Sequence, residues 1–117
     1  MNFEDAIGVH VQWKSKLSAF IAKPDQSLNA EAVASDTQCE LGKWLHGEGR
    51  THSRVPEFVK AESDHARFHN AAGDIVRKAQ TGHSMTDEIA LGSGSEYAAA
   101  SNAVVGSLMK LKVKVKI

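Results

Sequence analysis

A single cysteine, Cys39, is all the thiol chemistry this chain of 117 residues contains. An internal disulfide is therefore excluded, and a reducing cytoplasm is the expected compartment. Only two prolines interrupt the chain, and β-branched residues rarely cluster. Long stretches are left free for helical periodicity, which places the fold in the all-α class. Net charge is also absent, since 14 Lys and Arg balance 14 Asp and Glu. No field then draws the chain to nucleic acid or to an acidic membrane. No basic start leads into a long apolar run, so neither a signal peptide nor a membrane span is predicted. What is present is 42% apolar content, enough to build the core of one domain over residues 1–117.

The lone cysteine lies in the stretch Gln38-Cys39-Glu40-Leu41-Gly42-Lys43-Trp44-Leu45-His46-Gly47-Glu48-Gly49. Asp36, three residues before it, is a residue type that caps helices. Cys39 is then expected in the first turn of a short helix, where the positive end of the macrodipole favours thiolate. Leu41, Trp44 and Leu45 give that helix a buried side, Gly42 permits close approach of a neighbouring backbone, and Gly47 and Gly49 end it. Lys43 is either a solvated lysine or a cation near the thiolate.

Three longer amphipathic segments frame this element. Phe3, Ala6, His10, Trp13, Leu17 and Phe20 step by three and four, one face of a helix that ends before Pro24. His10 on that face is open to two readings, a hydrogen-bonded core histidine or a ligand. One further helical turn is expected around Ala30 to Ala34. Val55-Pro56-Glu57 starts the next long helix, whose stripe is Phe58, Ala61, His65, Phe68, Ala72, Ile75 and Ala79, with Gly82 as terminator. His65 and His69 are four apart, so both rings project from one face; they are a ligand pair or two separately satisfied histidines. A last helix begins near Thr86, with Asp87 and Glu88 in its first turn and Ile89, Tyr97, Ala100, Val104, Leu108 and Leu111 on its core face. Gly92-Ser93-Gly94 weakens it enough for a kink or break. Residues 110–117 alternate charged and apolar side chains, a strand-like period with no partner strand, and are read as a fraying end or tail.

These singletons combine. In an antiparallel bundle of three long helices with one or two short ones, His10 lies roughly 12 Å along the first helix, and His65 and His69 lie roughly 15 to 20 Å along the third. They share a layer, and Cys39 on a short helix packed against the bundle reaches the same depth. Three imidazoles and one thiolate are a tetrahedral zinc set. Copper(I) prefers more sulfur, and non-haem iron wants carboxylates. Asp36 either caps the Cys39 helix or accepts a hydrogen bond from a ligand imidazole. Trp13 and Trp44 are read as core packing, and His46, His52 and His83 fall outside the site.

The order His10, Trp13, Leu17, then Cys39-x-Leu41-Gly42-Lys43-Trp44-Leu45-x-Gly47, then His65-x-x-Phe68-His69 resembles the chemoreceptor zinc-binding (CZB) domain of bacterial signalling proteins. The resemblance covers nearly the whole chain. It implies a helical bundle holding one Zn2+ through His10, Cys39, His65 and His69, a homodimer, and an output module in the same or another chain, such as a chemotaxis receptor or a diguanylate cyclase of cyclic-di-GMP control. It further implies sensing of zinc or of hypochlorous acid, with Cys39 as the redox-sensing residue. No recognisable output module accompanies the domain. Four protein donors leave no open coordination position, so an enzyme is not expected; the other reading is a purely structural zinc-stabilised bundle that mediates dimerisation.

Overall fold

The computed structural model describes residues 2–82 and 86–115, with Asp87 and Glu88 described by their backbone alone. Helix α1 (Phe3–Ala22) starts where Asn2 accepts the Asp5 N–H at 3.0 Å, and Glu4 and Asp5 put negative charge at its positive end. The chain then leaves helical geometry at Lys23-Pro24, and Asp25 closes a local turn by accepting the Ser27 N–H at 2.8 Å. Asn29 restarts a helix by accepting the N–H groups of Glu31 and Ala32, which gives the short α2 (Ala30–Ala34).

Helix α3 (Glu40–His46) follows, ends at Gly47, and passes through a 3-10 turn (Glu48–His52) to α4 (Pro56–Gln80). Proline stands in the first turn of α4, where its missing N–H costs nothing. Gly82 closes the far end with φ of +87°, a left-handed conformation that a side chain would strain. Thr86 accepts the Ile89 N–H at 3.3 Å to begin α5 (Asp87–Leu91). The weak Gly92-Ser93-Gly94 segment is a full break, and Ser95 caps α6 (Glu96–Val115) by accepting the Ala98 N–H at 3.0 Å.

All regular structure among the described residues is helical, and none of these helices is long and apolar enough to cross a membrane. The three long helices pack against one another, α4 most extensively on α6. Arg67 pairs with Glu96, and Asp64 with Ser107 further back along α4, so these two helices run in opposite directions. Leu17, Phe58, Phe68, Val104, Leu108 and Leu111 are fully buried between them. Asp64 is buried there too, held by the Ser107 hydroxyl and by Lys60 at 2.9 Å. Burial pushes that carboxyl up, but the hydroxyl and the ammonium outweigh it and the net shift is downward.

Two expectations for the last helix change. The break at residues 92–95 resets the face of α5, so Ile89 is 71% exposed while Ala90 and Leu91 are buried in its place. Residues 110–115 are helix rather than tail, because Leu108, Leu111 and Val115 continue the three-and-four spacing onto the core and Lys112 reaches Glu4 at the start of α1. His83, Lys116 and Ile117 lie outside the described residues.

Candidate metal centre

Four side chains far apart in sequence converge inside the helices. His10 comes from α1, Cys39 from the start of α3, and His65 and His69 from successive turns of α4. One donor atom from each lies within 4.8 Å of all the others. The Cys39 Sγ is 3.2 Å from His65 Nε2 and 3.6 Å from His69 Nε2, and those two nitrogens are 3.0 Å apart. The His10 ring stands edge-on to both, with centroids 5.0 Å from His65 and 5.5 Å from His69.

Backbone carbonyls orient two of the rings. His10 Nδ1 faces the Ala6 carbonyl at 2.7 Å, one turn back on its own helix. His69 Nδ1 faces the Val33 carbonyl of α2 at 2.9 Å. In each case Nδ1 carries the proton and donates it, so the lone pair is on Nε2. For His10 that Nε2 is buried and meets no hydrogen-bond partner among the described residues. A buried acceptor without a donor is costly, and a cation at the shared centre satisfies it. A tetrahedral ion with bonds of about 2.05 Å to nitrogen and about 2.3 Å to sulfur needs donor separations of about 3.3 and about 3.6 Å. The contacts among Cys39, His65 and His69 match that frame to within a few tenths of an ångström, and the His10 donor lies within 4.8 Å of each of them, so these residues can hold a metal ion.

Burial sets the protonation state of the metal-free cluster. It pushes His10 and His69 below the ordinary imidazole range, against the opposing pull of the Ala6 and Val33 carbonyls. His65 is pushed down to about 2, by burial first and then by its neighbours His69 and His10. All three are neutral at physiological pH, the state in which an imidazole binds metal. The Cys39 thiol is pushed up, because burial outweighs the N–H groups of Gly42 and Leu41. The thiolate expected from the helix dipole is therefore not the resting state of the metal-free chain; the proton has to be displaced by a cation.

The start of α3 also departs from the sequence reading. Cys39 does not stand in the first turn but is itself the capping residue, its Sγ accepting the Gly42 N–H at 3.3 Å. Asp36 neither caps α3 nor bonds a site imidazole; its carboxylate faces His46 Nε2 at 3.5 Å. The acceptor role proposed for it falls to the Ala6 and Val33 carbonyls, which are main-chain atoms with no signature of their own in the sequence. Gly42 does admit a neighbouring backbone, since a Cβ there would sit 1.8 Å from the Asp36 carbonyl oxygen. Lys43 is exposed, and His52 stacks on Trp44 at 6.1 Å, outside the cluster.

Against known protein families, residues 10–76 match the chemoreceptor zinc-binding domain. The chain belongs to this family. The match begins at His10 and takes in Cys39, His65 and His69, while α5 and α6 lie beyond it. No curated protein and no solved structure matches the chain. In this CZB domain the matched segment therefore carries every donor, and α6 contributes the wall against which α4 packs.

Proposed function

We propose that this CZB domain holds one zinc ion through His10, Cys39, His65 and His69, and serves as a cytoplasmic sensory domain in bacterial signal transduction. Its output is chemotaxis or cyclic-di-GMP control, and its trigger is oxidation of Cys39. The observation that carries the redox part is an asymmetry of burial. His10, His65 and His69 are 1%, 0% and 4% exposed, whereas Cys39 is only half-buried at the edge of the cluster. Of the four converging residues, Cys39 is the one that is not fully buried, and this favours the sulfur as the point of attack.

Zinc, when bound, keeps the Cys39 sulfur deprotonated and available as a nucleophile. Hypochlorous acid then takes two electrons from that sulfur: the thiolate and HOCl become a sulfenic acid, Cys–S–OH, and chloride. A sulfenic acid is a poorer donor to the ion and a poorer acceptor for the Gly42 N–H. The two consequences fall on one element, because the same sulfur caps α3. Release of α3 from the frame of the three long helices is the proposed signal. The role is sensory and not catalytic, since four protein donors leave no position for a substrate.

Homodimerisation belongs to the same reading. Val9 and Val11 on α1 and Met109 and Val113 on α6 are exposed apolar side chains on neighbouring helices, 43%, 55%, 56% and 68% exposed.

The test is zinc release, followed with a chromophoric indicator while hypochlorous acid is added in small increments. The wild-type chain is expected to release its zinc at about one equivalent of oxidant, with a mass increase of one oxygen confined to Cys39. Zinc retained while methionines oxidise first would leave the structural role as the surviving reading.

A further inference from the structure

Helix α2 has five residues, too few to hold together by its own hydrogen bonds. What fixes it is the face of α4 made by His69, Gly73 and Gln80. At its entrance the Gln80 Nε2 donates to the carbonyls of Asp25 and Leu28, at 3.1 and 2.6 Å. At its exit His69 Nδ1 donates to the Val33 carbonyl at 2.9 Å. Between these two clamps stands Gly73. A Cβ on Gly73 would lie 2.5 Å from the Ala34 Cβ and 2.9 Å from both the Ala34 Cα and the Ala30 carbonyl oxygen. None of these atoms can swing aside by rotating a side chain, so any residue larger than glycine displaces α2 by about 1 Å.

We propose that Gly73 is a positioning residue for the metal centre: it lets α2 lie close enough to α4 for the Val33 carbonyl to hold His69 Nδ1–H, which directs the Nε2 lone pair of His69 at the ion. The inference rests on the zinc reading given above. It assigns to a residue that touches no ligand the spacing on which a ligand's tautomer depends. Val33 itself cannot encode this function, because the acceptor is its main-chain oxygen and survives every side-chain replacement. The encoding lies on the opposite helix. A displaced α2 also drags the segment 35–38 that leads into Cys39, so the sulfur moves with the carbonyl.

Partners that hydrogen-bond a ligating imidazole typically govern metal affinity by 10- to 100-fold. The experiment measures zinc affinity of the full chain by competition with a chromophoric chelator, together with the long-range 1H–15N spectrum of the zinc-loaded imidazoles. Gly73→Ala is expected to weaken zinc binding about 10- to 100-fold and to shift the His69 Nδ1–H resonance more than the resonances of His10 and His65. Gly106→Ala is the control, because a Cβ there meets nothing within 4 Å, and it is expected to leave affinity and spectrum unchanged. A second handle adds no bulk at position 73. Replacing Ala34 by its α-hydroxy acid makes the Val33 carbonyl an ester, a weaker acceptor, and it is expected to weaken zinc binding in the same direction. Should Gly73→Ala not fold, the ester carries the test. Affinity within twofold of wild type in the folded variants, even with a lowered melting temperature, overturns the inference and leaves Gly73 a packing residue. A wild-type chain that does not bind zinc overturns the reading beneath it, and that outcome is visible without any variant.

Discussion

The Cys39 sulfur accepts the Gly42 N–H at 3.3 Å, so the atom that faces three imidazoles also holds the first turn of the helix behind it. The turn before Cys39 also folds back onto Gly42. A methyl group on Gly42 would sit 1.8 Å from the Asp36 carbonyl oxygen and 3.1 Å from the Thr37 Cα, both main-chain atoms. Gly42→Ala is therefore expected to lower stability by at least about 1–3 kcal/mol, measured as a shift in denaturant midpoint. An unchanged midpoint contradicts the close approach.

Trp44 reports on α3 directly. Its indole meets the Phe3 ring edge-on at 5.3 Å and the Phe58 ring at 6.0 Å, so a displaced α3 moves it relative to two fixed aromatics. In a Trp13→Phe background its emission is the only indole signal of a chain with two tryptophans. Hypochlorous acid is expected to change that emission in parallel with zinc release. Adding Cys39→Ser should abolish the change, and an equal response in both chains would separate α3 from the sulfur.

Acid should destabilise the metal-free chain. His10, His65 and His69 all have folded-state pKa values below the ordinary 6.5. Above that value neither state binds the protons and the shifts contribute nothing. Below it the unfolded chain takes protons that the folded chain refuses, down to about 2 for His65. Stability then falls with falling pH, by up to about 1.4 kcal/mol per pH unit for each histidine. Melting temperatures of chelator-treated protein between pH 7.5 and 5.5 check this, and a flat profile would mean that the rings are not held neutral.

The buried Asp64 gives a stability prediction remote from the centre. Its carboxylate is held by Ser107 from α6 and by Lys60 one turn back on α4. Ser107→Ala removes the only one of these partners that is itself buried, and is expected to cost about 1–3 kcal/mol. Metal affinity should not change, since Asp64 is not one of the four converging side chains. A loss of zinc affinity in this variant would couple the α4–α6 seam to the site.

What the sequence showed of this site was what side-chain chemistry and helical period can carry. His65 and His69 are four apart, His10 falls on an apolar stripe, and Cys39 is the only thiol, so each donor could be picked out by residue type and spacing. The supports could not be picked out this way. Ala6 and Val33 act through carbonyls that every residue has, and Gly73 acts by having no side chain at a crossing whose partner, α2, is remote in sequence. Asp36 has the residue type of a helix cap, yet the turn folds so that Cys39 caps α3 instead. One helical period extended through Gly92-Ser93-Gly94 puts Ile89 on the core face, but the break there changes the phase and leaves it exposed. The lysine-valine alternation after Lys110 shows a period of two that points to a fraying end or tail, whereas burial of Leu111 and the reach of Lys112 to Glu4 are tertiary effects that hold the segment helical.

The central claim is that four donors from three helices share one zinc ion. X-ray absorption at the zinc edge of the purified, metal-replete chain, with metal content measured on the same sample, tests it most directly. The expected result is one zinc per chain with three nitrogens at about 2.0 to 2.1 Å and one sulfur at about 2.3 Å, the sulfur shell vanishing in Cys39→Ser. A shell of oxygen and nitrogen without sulfur in the wild-type chain, or zinc well below one per chain, would contradict it.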